Sequence, residues 1–138
     1  MRYSVVQQEL LPAFRILYVE DNSLVREITC ELLASDAREV VAVGSAEEAL
    51  VALQDSRFDI VVTDVSLPGM SGIDLAKQIR RLAPSMPIIV ASGHPLDMAD
   101  LQLGAHVRAI RKPFDTQQLD ALIQDLRGTG APVDPLSA

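Results

Sequence analysis

The 138-residue sequence predicts an α/β domain built on a mostly parallel, doubly wound sheet. Two observations carry this. Five short apolar runs are rich in β-branched residues, and segments of helical period separate them in strict alternation. Such alternation implies right-handed crossovers that lay helices on both faces of the sheet. The length is that of one ordinary domain, enough to bury a core without disulfides or structural metals. The single cysteine, Cys30, excludes an internal disulfide framework and a four-cysteine zinc site.

Taken in order, Met1–Ala13 precedes the pattern and reads as an N-terminal extension (1–13). The first strand is Arg15–Glu20 (RILYVE), and the helix after it carries Leu24, Ile28 and Leu32 on one stripe with Val25 beside them. The second strand is Glu39–Val43 (EVVAV). Ser45, with Glu48 three residues on, caps a helix whose Ala46, Ala49, Leu50 and Leu53 share a face. The third strand, Asp59–Asp64 (DIVVTD), runs into a Pro68-Gly69 turn, and Ser71 with Asp74 opens the third helix. The fourth strand is Pro87–Ser92 (PIIVAS). The first four strands are continuous in apolar character, as expected of strands covered on both faces. His106–Arg111 (HVRAIR) is the fifth. Asp115 and Gln118 then start a helix bearing Leu119, Leu122, Ile123 and Leu126. Residues 128–138 (GTGAPVDPLSA) are small and rich in Pro and Gly, and read as a mobile tail. Gly44, Gly72 and Gly104 read as junction punctuation.

Twelve basic against nineteen acidic residues leave a net charge of −7. So acidic a surface repels phosphate backbones, which disfavours nucleic acid as a partner. No apolar run approaches the roughly 20 residues that span a bilayer. The opening residues lack the layout of a secretory signal. A cytoplasmic protein without membrane contact is the expectation.

In open parallel sheets the functional crevice lies beyond the carboxyl ends of the strands. Strand one delivers Glu20 and Asp21 there, strand three Asp64, strand four Ser92 and strand five Lys112. Three carboxylates in one small site repel one another, and a hard divalent cation with oxygen ligands relieves the repulsion. Mg²⁺ suits few carboxylates, because it retains waters and accepts a phosphate oxygen as a further ligand. The lysine then acts as a point charge on the same phosphate, and Ser92 as a hydrogen-bond donor. The set is an arrangement for phosphorylating an aspartate.

The order VEDN, VVTDVSLPGMSG, IIVASG, RKPF resembles the receiver domain of two-component response regulators over roughly Phe14 to Arg127. The resemblance implies a flavodoxin-like (βα)5 fold with strand order 2-1-3-4-5, its receiver domain spanning 14–127. It implies that Asp64 accepts phosphate from a histidine kinase or histidine phosphotransfer protein. Asp21 and Asp64 bind Mg²⁺ directly by that match, Glu20 does so through water, and the backbone carbonyl of Ser66 completes the protein ligands. Ser92 and Lys112 stand at the family's hydroxyl and lysine positions, and the Lys112–Pro113 peptide is expected to be cis. A signalling phosphoacceptor rather than an enzyme follows, limited to its own phosphorylation and dephosphorylation. It acts through protein contacts with a downstream partner and allows a homodimer.

Two departures stand out. The family's switch aromatic lies three residues before the lysine, where this chain has Ala109. The stretch HPLDMADLQLGA leaves only a shortened fourth helix. Both fall on the usual read-out face, so a phosphorylation-independent interaction module that keeps the fold is the alternative. A haloacid-dehalogenase-type phosphohydrolase also uses a strand-end Asp, Mg²⁺ and Lys. It wants a second Asp where this chain has Ser66, and ranks a distant third. His94 and His106 read as loop residues, with His94 within reach of a phosphate bound near Ser92, and Cys30 reads as a buried structural thiol. Leu24 and Val25 read as core or as a surface where a four-helix phosphodonor docks.

Overall fold

Runs of Val, Ile and Leu without polar alternation need cover on both faces, and helices supply it here. The computed structural model describes residues 13–130, with side chains as far as Arg127. The strands are β1 (Phe14–Val19), β2 (Arg38–Val43), β3 (Ile60–Asp64), β4 (Ile88–Ser92) and β5 (Val107–Arg111). They pair in parallel in the order β2-β1-β3-β4-β5, as expected. The crossovers hold α1 (Ser23–Leu33), α2 (Ala46–Asp55), α3 (Gly72–Leu82) and α4 (Met98–Leu101), and α5 (Thr116–Gly130) follows β5.

Alternate strand residues feed two cores. Leu17, Val19, Val61 and Val90 pack with Ala49 of α2 and Leu75 and Ile79 of α3. Ile16, Tyr18, Val62 and Ile89 meet Leu33 of α1 and Leu119, Ile123 and Leu126 of α5. The central strands β3 and β4 are buried at every position. β2, read as covered on both faces, is only half-buried, because it lies at the sheet edge with one neighbouring strand.

Most helix starts follow the sequence signals. Ser45 Oγ accepts from Glu48 N at 3.1 Å, and Ser71 Oγ accepts from Asp74 N at 3.1 Å. Asp115 and Gln118 cap each other: Gln118 N donates to Asp115 Oδ1 at 2.8 Å, and Asp115 N donates to Gln118 Oε1 at 2.9 Å. The cap of α1 is Asn22, whose Oδ1 accepts from Val25 N at 3.0 Å. α4 is the expected short helix, four residues long, and ends at Gln102 in the left-handed region. α5 runs to Gly130, so the tail expected from residue 128 begins as helix. Residues 131–138 and the N-terminal extension, apart from Ala13, lie outside the described residues. Among the described residues no helix is long and apolar enough to cross a membrane.

One expectation fails in α1. The stripe Leu24, Ile28 and Leu32 faces outward, at 65%, 51% and 62% exposure, with Val25 also exposed. The inward face is Arg26, Thr29, Cys30 and Leu33, also at helical spacing, and only Leu33 is fully buried. This face is polar because of what it covers. Arg26 Nη1 donates to the carbonyl of Glu20 at 2.8 Å, and Thr29 hydrogen-bonds the buried Tyr18. Cys30, read as a buried thiol, is half-buried, and desolvation followed by the Glu31 charge pushes its pKa up.

Candidate functional site: an acidic cleft at the carboxyl ends of the strands

The parallel ladder continues one residue past β1, β3 and β5, which fixes the backbone that carries the site. Glu20 N donates to Val43 O at 3.0 Å, Val65 N to Ala91 O at 2.9 Å, and Lys112 N to Ser92 O at 2.8 Å. Side chains leaving these positions therefore start from rigid ends. The Lys112–Pro113 peptide is cis, as the resemblance implies.

Glu20, Asp21 and Asp64 each place a carboxylate oxygen within 4.8 Å of the others. Glu20 and Asp64 are buried, while Asp21 is exposed at the rim. Lys112 Nζ lies 3.3 Å from Asp64 Oδ2 and 3.6 Å from Glu20 Oε1. Four of the six residues singled out in the sequence thus form one contact set. Ser92 is buried beside them, one residue beyond Ala91, the β4 partner of Asp64. Its Oγ accepts from His94 N at 3.0 Å, which leaves the hydroxyl proton available to an incoming acceptor. Ser66 occupies the exposed loop after β3, two residues beyond Asp64.

Four supporting residues were not legible as such. Arg26 ties the Glu20 carbonyl to α1, and Asn22 N donates to Glu20 Oε2 at 3.1 Å, so α1 and its cap hold the acidic loop. Thr63 Oγ1 donates to the carbonyl of Asp64 at 2.9 Å. Gly72 lets α3 approach Asp64 so closely that a Cβ there would stand 2.0 Å from the Asp64 carbonyl oxygen. No spacing rule points to any of these: Asn22, Arg26 and Thr63 act on groups within six residues in patterns that carry no sequence signature, and Gly72 meets Asp64 only when α3 docks. Behind the cleft, burial pushes the Tyr18 phenol up to about 12, with the charges of Glu20 and Asp64 adding and the Thr29 hydrogen bond opposing.

The donor set fits a hard divalent cation. Three carboxylates against one ammonium leave two net negative charges, all on oxygen, and the exposed Asp21 keeps one side open to water. On the neighbouring face, a cleft of about 220 Å³ opens beside Ser92, Leu96 and Ala109. Ala109 is exposed and offers no ring to fill it.

The sequence matches the response regulator receiver domain over residues 16–124. The chain belongs to that family. As a receiver domain of two-component systems it is a signalling domain. It is 40% identical over 95 residues to the sensor protein TorS of Escherichia coli, covering 68% of this chain and 10% of that protein. To the two-component response regulator PhoP of Pseudomonas aeruginosa it is 36% identical over 115 residues, covering 81% and 51%. The receiver thus spans about half or less of the length of these relatives. Among solved structures it is similar to a response regulator receiver domain protein from Clostridium thermocellum. That match has TM-score 0.76 at 30% identity and covers 86% of this chain and 96% of the other. The response regulator TrrA of Thermotoga maritima, in complex with Mg²⁺-BeF, superposes with TM-score 0.72 at 26% identity, covering 81% and 97%. The flavodoxin-like fold of the receiver follows from these neighbours and from the strand order.

Proposed function

We propose that residues 14–127 act as a phosphoacceptor in a two-component or phosphorelay pathway, with Asp64 as the acceptor. The observation that carries this is the contact set of Asp64 with Glu20, Asp21 and Lys112 at one end of the sheet. A carboxylate oxygen of Asp64 forms a bond to phosphorus as the P–N bond of a donor phosphohistidine breaks, and the imidazole leaves and takes up a proton. Water attack on the same phosphorus reverses the modification. Mg²⁺ would be the cation, and Asp21, Asp64 and the Ser66 carbonyl would hold it directly, with Glu20 acting through water. When bound, it neutralises charge between the carboxylates and the phosphoryl oxygens. Lys112 contributes a charge-assisted contact to a phosphoryl oxygen and Ser92 a hydroxyl donor.

The donor is a histidine kinase or a histidine phosphotransfer protein. Its docking surface is the exposed α1 stripe of Leu24, Val25, Ile28 and Leu32, an apolar patch beside the acidic loop. The module acts in the cytoplasm through contacts with a downstream protein or a second copy, without nucleic acid or membrane, and turns over no other substrate.

The test is acetyl phosphate with Mg²⁺, read by mass spectrometry. One phosphoryl group at Asp64, absent in Asp64→Asn and after metal chelation, is the expected result. Undiminished labelling of Asp64→Asn, or none of the wild type, overturns the assignment.

A further inference from the structure

At the end of the sheet opposite the acidic cleft, the charge reverses. Arg15 at the start of β1, Arg57 before β3 and Arg127 near the end of α5 line a hollow of about 420 Å³ together with Phe14 and Asp59. In a chain of net charge −7, three guanidinium groups against Asp59 and the Glu39 carboxylate near Arg15 are a local inversion. Two of the three are already positioned. The Arg15 guanidinium lies 4.8 Å from the Phe58 ring centroid, and that of Arg127 lies 4.3 Å from the Phe14 centroid. Stacking of this kind holds the planar fork in place while leaving its in-plane N–H donors open.

Their donors are poorly served, Arg15 having only a long ion pair to Glu39. Arg15 Nε is buried without a hydrogen-bond partner, its nearest carboxylate oxygen being Glu39 Oε1 at 3.9 Å. Among the described residues, neither Arg57 nor Arg127 has a hydrogen-bond or ion-pair partner. Asp59 does not serve them: its Oδ2 accepts from the backbone N–H of Arg15 at 2.7 Å. A buried N–H without an acceptor is costly, and one beside two further guanidinium groups calls for a shared anion. An adjoining bay of about 280 Å³ shares Phe14, Asp59 and Arg127 with the hollow and adds Ile60, Pro87 and Leu126. The two spaces together offer a charged half and an apolar half.

We propose that this hollow binds a small organic phosphate, with its dianion among Arg15, Arg57 and Arg127 and its apolar body in the bay. The arginines outnumber the carboxylates Asp59 and Glu39 around them, and phosphate oxygens can each take a guanidinium N–H. Space of a few hundred Å³ suits a small molecule. The site is separate from the acidic cleft, so it neither depends on phosphorylation of Asp64 nor competes with it.

The test uses the full chain in the presence of a chelator, which silences the cation-dependent cleft. Inorganic phosphate, phenyl phosphate and phenol are titrated in turn, and the amides of Phe14, Arg15 and Asp59 and the arginine Nε–H signals are followed by heteronuclear NMR. Phenyl phosphate is expected to give saturable shifts there and to bind about tenfold more tightly than inorganic phosphate, with no binding of phenol. Arg57→Ala and Arg127→Ala, both at exposed positions, are expected to weaken phenyl phosphate about tenfold. Arg57→Lys should recover only part of the loss. Acetyl phosphate labelling confirms that each variant is folded. The proposal is overturned by equal affinity for phosphate and phenyl phosphate, by shifts confined to Glu20 and Asp64, or by unchanged affinity in both alanine variants. It is also overturned if no saturable shift appears by about 10 mM phenyl phosphate, a level beyond any specific site of this size.

Discussion

Gly72→Ala sets local propensity against a tertiary contact, and the two call for opposite signs. Gly72 opens α3 with no positive φ, so its backbone conformation is open to alanine. Helix propensity and the stiffer unfolded chain then favour Ala by about 0.5–1 kcal/mol. The fold says otherwise. An added Cβ would stand 2.0 Å from the Asp64 carbonyl oxygen and 2.9 Å from Val65 Cα, both backbone atoms that cannot rotate away. A relaxed carbon–oxygen contact needs more than about 3 Å, so strand β3 and helix α3 would have to part by over ~1 Å. Overpacking of this kind costs about 1–3 kcal/mol, and a backbone clash belongs at the top of that range. We expect a net loss of about 2 kcal/mol, or roughly 8 °C in Tm for a domain of this size. Thermal and urea unfolding followed by circular dichroism measure it. Gly93→Ala is the control: a Cβ there meets nothing within 4 Å, and stability should hold within about 0.5 kcal/mol. A Gly72→Ala protein as stable as the wild type would refute the close approach that seats Asp64.

Three further outcomes are expected. Tyr18 titrates near 10 when unfolded and at about 12 when folded, so between these values the unfolded chain binds fewer protons and stability falls as pH rises. The two-unit gap amounts to about 2–3 kcal/mol at the top of the window. Urea midpoints across that window should flatten in Tyr18→Phe, and an unchanged slope would remove Tyr18 as the cause. Lys112→Ala should lower stability by under about 1 kcal/mol, since its side chain is one-third exposed, yet abolish any change in amide exchange over residues 93–103 caused by beryllofluoride. A large thermal collapse would instead make Lys112 structural. Asp21→Ala should weaken Mg²⁺ binding more than Glu20→Ala, because Asp21 is assigned as a direct ligand and Glu20 through water; calorimetric titration giving equal losses would mean shared roles.

Much of the architecture was legible in the residues. Alternating apolar runs and helical segments set the strand count and the parallel pairing, because backbone hydrogen bonding and burial allow few other arrangements. Caps at Ser45, Ser71 and Asp115 were readable because their partners lie three residues along the same chain. The convergence of Glu20, Asp21, Asp64 and Lys112 followed from strand ends alone, since a parallel sheet collects its carboxyl ends on one side.

What the chain could not show locally was which face of a helix meets the sheet and how near two backbones come. Helical periodicity reveals that α1 has an apolar stripe of Leu24, Ile28 and Leu32, but the stripe is exposed. The face turned inward is the one whose Arg26 and Thr29 satisfy the Glu20 carbonyl and the Tyr18 phenol. Buried polar groups must find partners, and here that demand outweighed the hydrophobic pattern. Gly72 reads as punctuation in the sequence and becomes a contact with Asp64 only when α3 docks against β3. The three arginines of the basal hollow lie far apart in sequence, and only the closing of the sheet by α5 brings Arg127 to Arg15 and Arg57. Sequence determines what a segment can do with its own neighbours, while tertiary structure decides between partners distant in the chain, because only the fold sets those distances.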